Sequence, residues 1–382
     1  MKFELRFPTE IIFGKDSIKK IGIKAHEYGD KAFIVIGKSA MRKSGTIDNI
    51  VELLKSAGIE KVYIYDQAEH DPSVETVDRG VVMAKEGEYN VIIGVGGGSA
   101  MDVAKTIASL MTNEGSAADY QSGKEIKNPG LPFIAVPTTA GTGAEITNNS
   151  VITNRDKKIK QSIRSPLMIA RVAIVDPILT VSMPPNVTAA SGMDALTQAI
   201  EVYVSLSSNP FSDTLALRSI SLISKNLVKA FENGNDIEAR ENVALGSLFG
   251  AMAFGNAALG AVHGLAHPVG ALFDVPHGVI CGLLLPHVME YNLSVKASRF
   301  AEIAEAMGQS VSGESDEVNA NKALNAVGNL LIKLQLPQKL SELGIRRDDL
   351  SLIARSAKGS SLNNNPRPTT PESLQEILTS AL

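Results

Sequence analysis

The chain has little cysteine: Cys281 is the one thiol among 382 residues. No intramolecular disulfide can form, so stability must come from a packed core, and a reducing compartment is expected. Cys281 sits in the apolar run VICGLLLP and reads as a buried packing residue rather than a nucleophile. A basic surplus is also missing, with 37 Lys and Arg against 41 Asp and Glu and a net charge of −4. That excludes the electrostatic footprint of a nucleic-acid or anionic-membrane partner and leaves a small molecule as the expected one. No segment approaches the roughly 18 consecutive apolar residues of a membrane span. The opening MKFELRFPTEIIFG alternates like a strand and lacks the unbroken apolar stretch of a signal peptide, so a cytoplasmic protein is expected. Internal repeats and low-complexity tracts are absent as well.

What is present is the balance of a folded enzyme, 44% hydrophobic and 20% charged. The length fits two domains. Short β-branched runs at 32–37, 61–66, 90–95, 132–137 and 171–176 alternate with helix-period segments such as 46–57 and 74–87. Strands of that kind with helical crossovers predict a parallel sheet covered on both faces. After SMPPN (182–186) strand-like runs nearly vanish, and helices are expected at 187–206, 211–231, 238–258, 259–272, 278–292, 296–307 and 317–334. The division is therefore placed at 1–180, an α/β domain, and 181–382, an all-helical domain. NNNPRP (363–368) reads as an ordered turn before the last helix.

NVIIGVGGGSAMDVAK runs from a strand through glycines into a helix, a geometry in which backbone N–H groups and a helix N-terminus hold a phosphate. Gly96, Gly97 and Gly98 leave room for a pyrophosphate. Ser99 is read as the N-cap, with Asp102 three residues on as its capping-box partner or as a polar contact near a nicotinamide. The spacing departs from the G-x-G-x-x-G fingerprint, so a tight turn without ligand is the competing reading. A second loop, PTTAGTGAE, carries Thr138, Thr139 and Thr142 beyond another strand end, where ligands of parallel sheets bind.

Three of the six histidines fall within HGLAHPVGALFDVPH. His263 and His267 are four apart and share one helix face. His277 begins the next apolar segment. Upstream, GMDALTQAIE places Asp194 and Gln198 on one face of a helix, so a carboxylate and imidazoles from separate helices form a candidate divalent-metal site. His287 reads as structural; His26 and His70 read as surface residues.

Taken together, FPTEIIFG, GVGGGSAMDVAK, PTTAGTGAE, VAIVDP, GMDALTQAIE, HGLAHPVGALFDVPHG and NNNPRP resemble, in order and spacing, the iron-containing (group III) alcohol dehydrogenases. The resemblance implies a Rossmann-like N-terminal domain and an all-α C-terminal domain, the dehydroquinate synthase-like architecture, with cofactor and metal in the cleft between them. It implies that Gly96 to Ser99 hold the pyrophosphate, that Thr138, Thr139 and Thr142 line the cofactor loop, and that Lys160 reaches the ribose or phosphates. Asp194, His263 and His277 would be metal ligands, and His267 would lie near substrate and nicotinamide, relaying the proton. Fe2+ is the implied ion and Zn2+ the alternative, and a homodimer is implied.

Three positions depart from the family pattern. Gln198 stands where the family's fourth ligand is a histidine, and an amide oxygen is a weaker donor than imidazole. At the end of the first long strand Gly37, Lys38 and Ser39 replace an acidic residue common in NAD-preferring members, which suits a 2′-phosphate and favours NADP(H) over NAD(H). Ala144 replaces a common serine. The expected activity is hydride transfer between NAD(P)(H) and a small alcohol, aldehyde or ketone, with a divalent metal as Lewis acid. The alternatives are a metal-independent reductase of the maleylacetate type and a dehydroquinate-synthase-like lyase.

Overall fold

Short runs of β-branched and small apolar residues pair side by side as β1 (Glu10–Phe13), β2 (Lys31–Gly37), β3 (Lys61–Ala68), β4 (Val91–Gly96), β5 (Phe133–Pro137) and β8 (Val172–Val175). All their pairings are parallel, in the order β1-β8-β5-β4-β2-β3. The structure, a computed structural model, describes residues 3–5, 7–157 and 159–382. Two compact units divide the chain: Phe7–Thr139 with Gly143–Ser182, and Met183–Leu382 with Ala140–Thr142. The first is α/β and the second helical, as the sequence predicts.

In the α/β unit the period of two along each strand fills two cores. Phe33, Val35, Ile92 and Ala135 face the helices Val74–Glu86 and Gly98–Leu110 through Val77, Val103 and Ile107. Ile34, Ile36, Ile93, Val95, Ile134 and Val136 face the helix Thr46–Ser56 through Ile47, Ile50 and Leu54. Burial on both faces explains why these strands read as continuous apolar runs. The strand-like N-terminus proves to be β1, which pairs with β8 of the same chain. An antiparallel hairpin that the sequence reading did not anticipate, β6 (Asn149–Asn154) with β7 (Ile159–Arg164), leaves the sheet after β5.

The helical unit contains Pro185–Val204, Pro210–Glu232, Ile237–Phe254, Ala261–Phe273, His277–Ala306 and Asp316–Lys333. Proline opens the first two, supplying a pre-set φ where the N–H has no partner to lose. The two helices expected at 278–292 and 296–307 run together, bent at Lys296, whose φ of −139° and ψ of 26° are not helical. This helix has the length and mean hydropathy of a membrane span, but 56% of its apolar window is buried within the fold.

Candidate functional site

Asp194 lies in the middle of the helix Pro185–Val204 and is buried, as are Gln198 and Glu201 beyond it. Positions 194, 198 and 201 recur at the spacing of one helix face. The neighbouring helix His277–Ala306 reaches that face because residue 278 is glycine: a Cβ there would stand 2.1 Å from the Ala190 carbonyl oxygen. The close approach brings His277 Nε2 to 3.8 Å from Asp194 Oδ1. His263 Nε2 stands 3.4 Å from the same oxygen. Cys281, one turn after His277, puts its sulfur 3.5 Å from His277 Nε2. One donor atom from each of Asp194, His263, His277 and Cys281 falls within 4.8 Å of the others, the grouping of metal-binding residue types found among the described residues.

These atoms fit a cation. Asp194 Oδ1 and His263 Nε2, 3.4 Å apart, are buried and without a hydrogen-bond partner among the described residues. Each such orphan costs about 1–3 kcal/mol, so a cluster of them around one point is sustained by something that binds there. The charges agree. Burial pushes the Asp194 carboxyl up, yet His263 and His277 beside it more than offset this and hold it below the usual carboxylate value. Burial likewise opposes an imidazolium at His263, yet Cys281, Glu201 and Asp194 hold that ring well above the ordinary histidine value. The Cys281 thiol is pushed up to about 12 by burial. It is therefore neutral at ordinary pH, and the lasting pull on His263 comes from the two carboxylates.

Glu201, which the sequence reading passed over, organises His263 from behind. Its Oε2 accepts from His263 Nδ1 at 2.6 Å and its Oε1 accepts the backbone N–H of Val262 at 2.6 Å. An ionised carboxylate on Nδ1 fixes a proton there and turns Nε2 toward Asp194. The same carboxylate caps the first turn of Ala261–Phe273, whose N-cap Gly260 has no side chain to do so. Asn365, from NNNPRP, completes that cap: its Oδ1 accepts from Ala261 N at 3.2 Å while its amide exchanges hydrogen bonds with Asn292. The spacing of seven from Asp194 to Glu201, and of four from His277 to Cys281, were the available signals for the two missed residues.

Of the other expected residues in this unit, His267 is exposed and its ring stacks on His277 at 5.5 Å between centroids. Gln198 Nε2 points to the Thr142 carbonyl at 3.5 Å, so Thr142 meets the helical unit rather than the second glycine loop's own unit. His287 hydrogen-bonds Ser380, and His26 and His70 are exposed.

The α/β unit presents two loops at successive strand ends. Gly96 takes a φ of +149°, which a side chain would strain, and its carbonyl accepts from Thr138 N at 2.9 Å. A Cβ on Gly97 would meet the Thr139 side chain at 3.3 Å, so the loops touch through a residue without one. The Ser99 assignment needs correction: the helix begins at Gly98, its N-cap is Gly97, and no side chain caps it. Glycine holds that position because its bare backbone closes against Thr139, and the first-turn N–H groups keep no internal cap. Asp102 is accordingly not a capping-box partner; its Oδ2 accepts from Val151 N at 3.0 Å and ties the helix to β6.

Burial pushes Asp102 up to about 6, against the pull of Lys105. Lys105 is fully buried and held by the carbonyls of Thr147 and Asn149, each at 2.8 Å, and burial pushes it down to about 8. Lys160, on β7, is paired with Asp71 at 2.6 Å. At the end of β2, Gly37 is partly buried and Lys38 and Ser39 are exposed.

Comparison with known proteins adds to this geometry. A family model described as iron-containing alcohol dehydrogenase matches residues 8–177, and one described as the C-terminal part of the Fe-containing alcohol dehydrogenase family matches residues 188–382. The chain is 38% identical to 1,3-propanediol dehydrogenase of Klebsiella pneumoniae, over 99% of this chain and 98% of that one. It is 35% identical to the NAD-dependent methanol dehydrogenase of Bacillus methanolicus, over 98% of both. The NADPH-dependent butanol dehydrogenase of Clostridium saccharobutylicum is 36% identical over 99% of this chain and 97% of its own. A crystal structure of 1,3-propanediol oxidoreductase superposes with a TM-score of 0.96 at 38% identity, covering both chains fully.

Proposed function

The chain belongs to the iron-containing alcohol dehydrogenase family, and on that premise we propose that it transfers hydride between a nicotinamide cofactor and a short alcohol, aldehyde or ketone. The observation that carries this reading is the set of orphaned buried donors, Asp194 Oδ1 and His263 Nε2, grouped with His277. Asp194, His263 and His277 would hold a divalent ion, and that ion would supply Lewis acidity. Everything else falls to the chain's own side chains. Glu201 fixes His263 in the tautomer that presents Nε2. His267, exposed beside His277, carries the hydroxyl proton between substrate and solvent, since an imidazole can both accept and donate a proton.

Gly96, Gly97, Gly98 and Ser99 bind the pyrophosphate at an uncapped helix N-terminus, and Thr138, Thr139 and Thr142 line the facing loop. Asp102 contacts the nicotinamide end, with Lys160 nearby for ribose or phosphate. A nicotinamide cofactor bound there would supply the hydride chemistry, with these loops holding and orienting it. NADP(H) is favoured over NAD(H), because the end of β2 offers Gly37, exposed Lys38 and Ser39 in place of an acid. The named relatives include both NAD- and NADPH-dependent enzymes, so this choice rests on those three residues. A homodimer is favoured by the exposed, alternating Phe3, Leu5 and Phe7, apolar surface of the kind a second copy covers.

The experiment is a panel of short alcohols, diols and their aldehydes run with both cofactors. Cofactor-linked turnover of at least one is the expected result; absence of turnover across the panel overturns the proposal.

A further inference from the structure

The residue that replaces the missing histidine is not the one that stands in its sequence position. Gln198 presents its amide nitrogen to the Thr142 carbonyl at 3.5 Å and helps stabilise the Asp194 carboxylate beside it. A side chain that donates to a ligand's carboxylate is an outer partner of that ligand. Cys281, by contrast, lies one turn beyond His277 on the same helix, is wholly buried, and places its sulfur inside the donor cluster.

Three of the donor spacings are close to tetrahedral edges, and all four donors lie within 4.8 Å of one another. Bonds of about 2.0–2.1 Å to nitrogen and oxygen and about 2.3 Å to sulfur set edges of about 3.3 Å between N or O donors, and about 3.6 Å from sulfur to nitrogen. The observed separations are 3.4 Å for His263 Nε2 to Asp194 Oδ1, 3.8 Å for His277 Nε2 to Asp194 Oδ1, and 3.5 Å for Cys281 Sγ to His277 Nε2. The second, independent pointer is that Asp194 Oδ1 and His263 Nε2 are nine-tenths or more buried, aimed into this space and unpartnered.

We infer that Cys281 is the fourth metal ligand, so that the ion is held by Asp194, His263, His277 and a Cys281 thiolate. The inference rests on the metal-binding reading above and changes its donor set. The number of protein donors stays at the family's four, while a hard-to-borderline imidazole is exchanged for a soft thiolate. Metal uptake then releases the Cys281 proton to solvent, together with the proton a charged His263 carries on Nε2, with no change in oxidation state. Thiolate favours zinc or cobalt over ferrous iron more than an all-nitrogen and oxygen set does.

The test is cobalt substitution of the intact protein, read by absorption and metal content. Wild type should bind one Co(II) per chain and show a near-ultraviolet sulfur-to-cobalt charge-transfer band. Cys281→Ser and Cys281→Ala should lose that band. Their zinc affinity should fall by more than the roughly 10–100-fold that losing an outer partner costs. Gln198→Ala should keep the band. Circular dichroism melts of the metal-free proteins establish that each variant folds. Cobalt bound without the band, or zinc affinity unchanged in Cys281→Ser, would overturn Cys281 as ligand and leave the metal reading standing. No cobalt bound by wild type would overturn both.

Discussion

The Glu201 carboxylate binds two successive groups of the next helix at once, the Val262 N–H through Oε1 and the His263 Nδ1 through Oε2, both at 2.6 Å. Placement of that helix and orientation of the His263 ring are therefore one interaction. Glu201→Gln separates the two roles. The amide oxygen still accepts from Val262, while the amide N–H2 group now faces Nδ1 and drives the ring proton to Nε2. Metal affinity should fall about 10–100-fold by equilibrium dialysis, with the metal-free melting temperature near wild type. Glu201→Ala should add a loss of about 0.5–2 kcal/mol of metal-free stability, the usual cost of a lost cap.

Replacing His267 by Ala should lower kcat by about 100-fold or more without changing metal content, because the residue handles a proton rather than the ion. Its exposure makes chemical rescue feasible: added imidazole should restore part of the rate. A variant with unchanged kcat would remove His267 from the proton path.

Cofactor choice is tested at Gly37. A Cβ there would lie 3.6 Å from the Ala68 carbonyl, an ordinary contact, so an aspartate fits without strain. Gly37→Asp should shift the ratio of kcat/KM for NADPH over NADH by about tenfold or more toward NADH, through repulsion of the 2′-phosphate. An unchanged ratio would place the 2′ position elsewhere.

Asp102 gives a pH signature. Its folded-state value of about 6 lies above the ordinary carboxylate value of 3.8, burial being the main cause. The folded state thus binds the proton more tightly, and the resulting stability is present below about 4 and lost as pH rises through about 6. Asp102→Asn keeps an acceptor for Val151 and leaves Lys105 on the carbonyls of Thr147 and Asn149. The variant should gain stability relative to wild type between pH 4 and 6, with a constant difference above; urea titrations at several pH values measure it.

Much of the fold could be read in the chain because the strands of the central sheet are buried on both faces and therefore apolar throughout. The hairpin Asn149–Arg164 could not: NSVITN and IKQSIR alternate in burial and carry polar residues, and one-sided strands without a long apolar run resemble loop. At the glycine turn the motif was visible, but Ser99 drew the N-cap two residues too far, since only the packing of Gly97 on Thr139 reveals which residue must be bare. In the helical unit the histidines announced themselves by clustering. Glu201 and Cys281 did not, because an acid in a helix and a thiol in an apolar run have common roles, and only the close approach allowed by Gly278 brings the second to the first set of donors.

The central claim is that the buried donors around Asp194 hold a divalent ion on which turnover depends. Metal analysis of the purified protein, followed by chelation and add-back with cofactor-linked alcohol oxidation as readout, tests it most directly. About one divalent ion per chain, activity lost on its removal and recovered on its return, is the predicted result. Full activity in protein stripped of metal would contradict it.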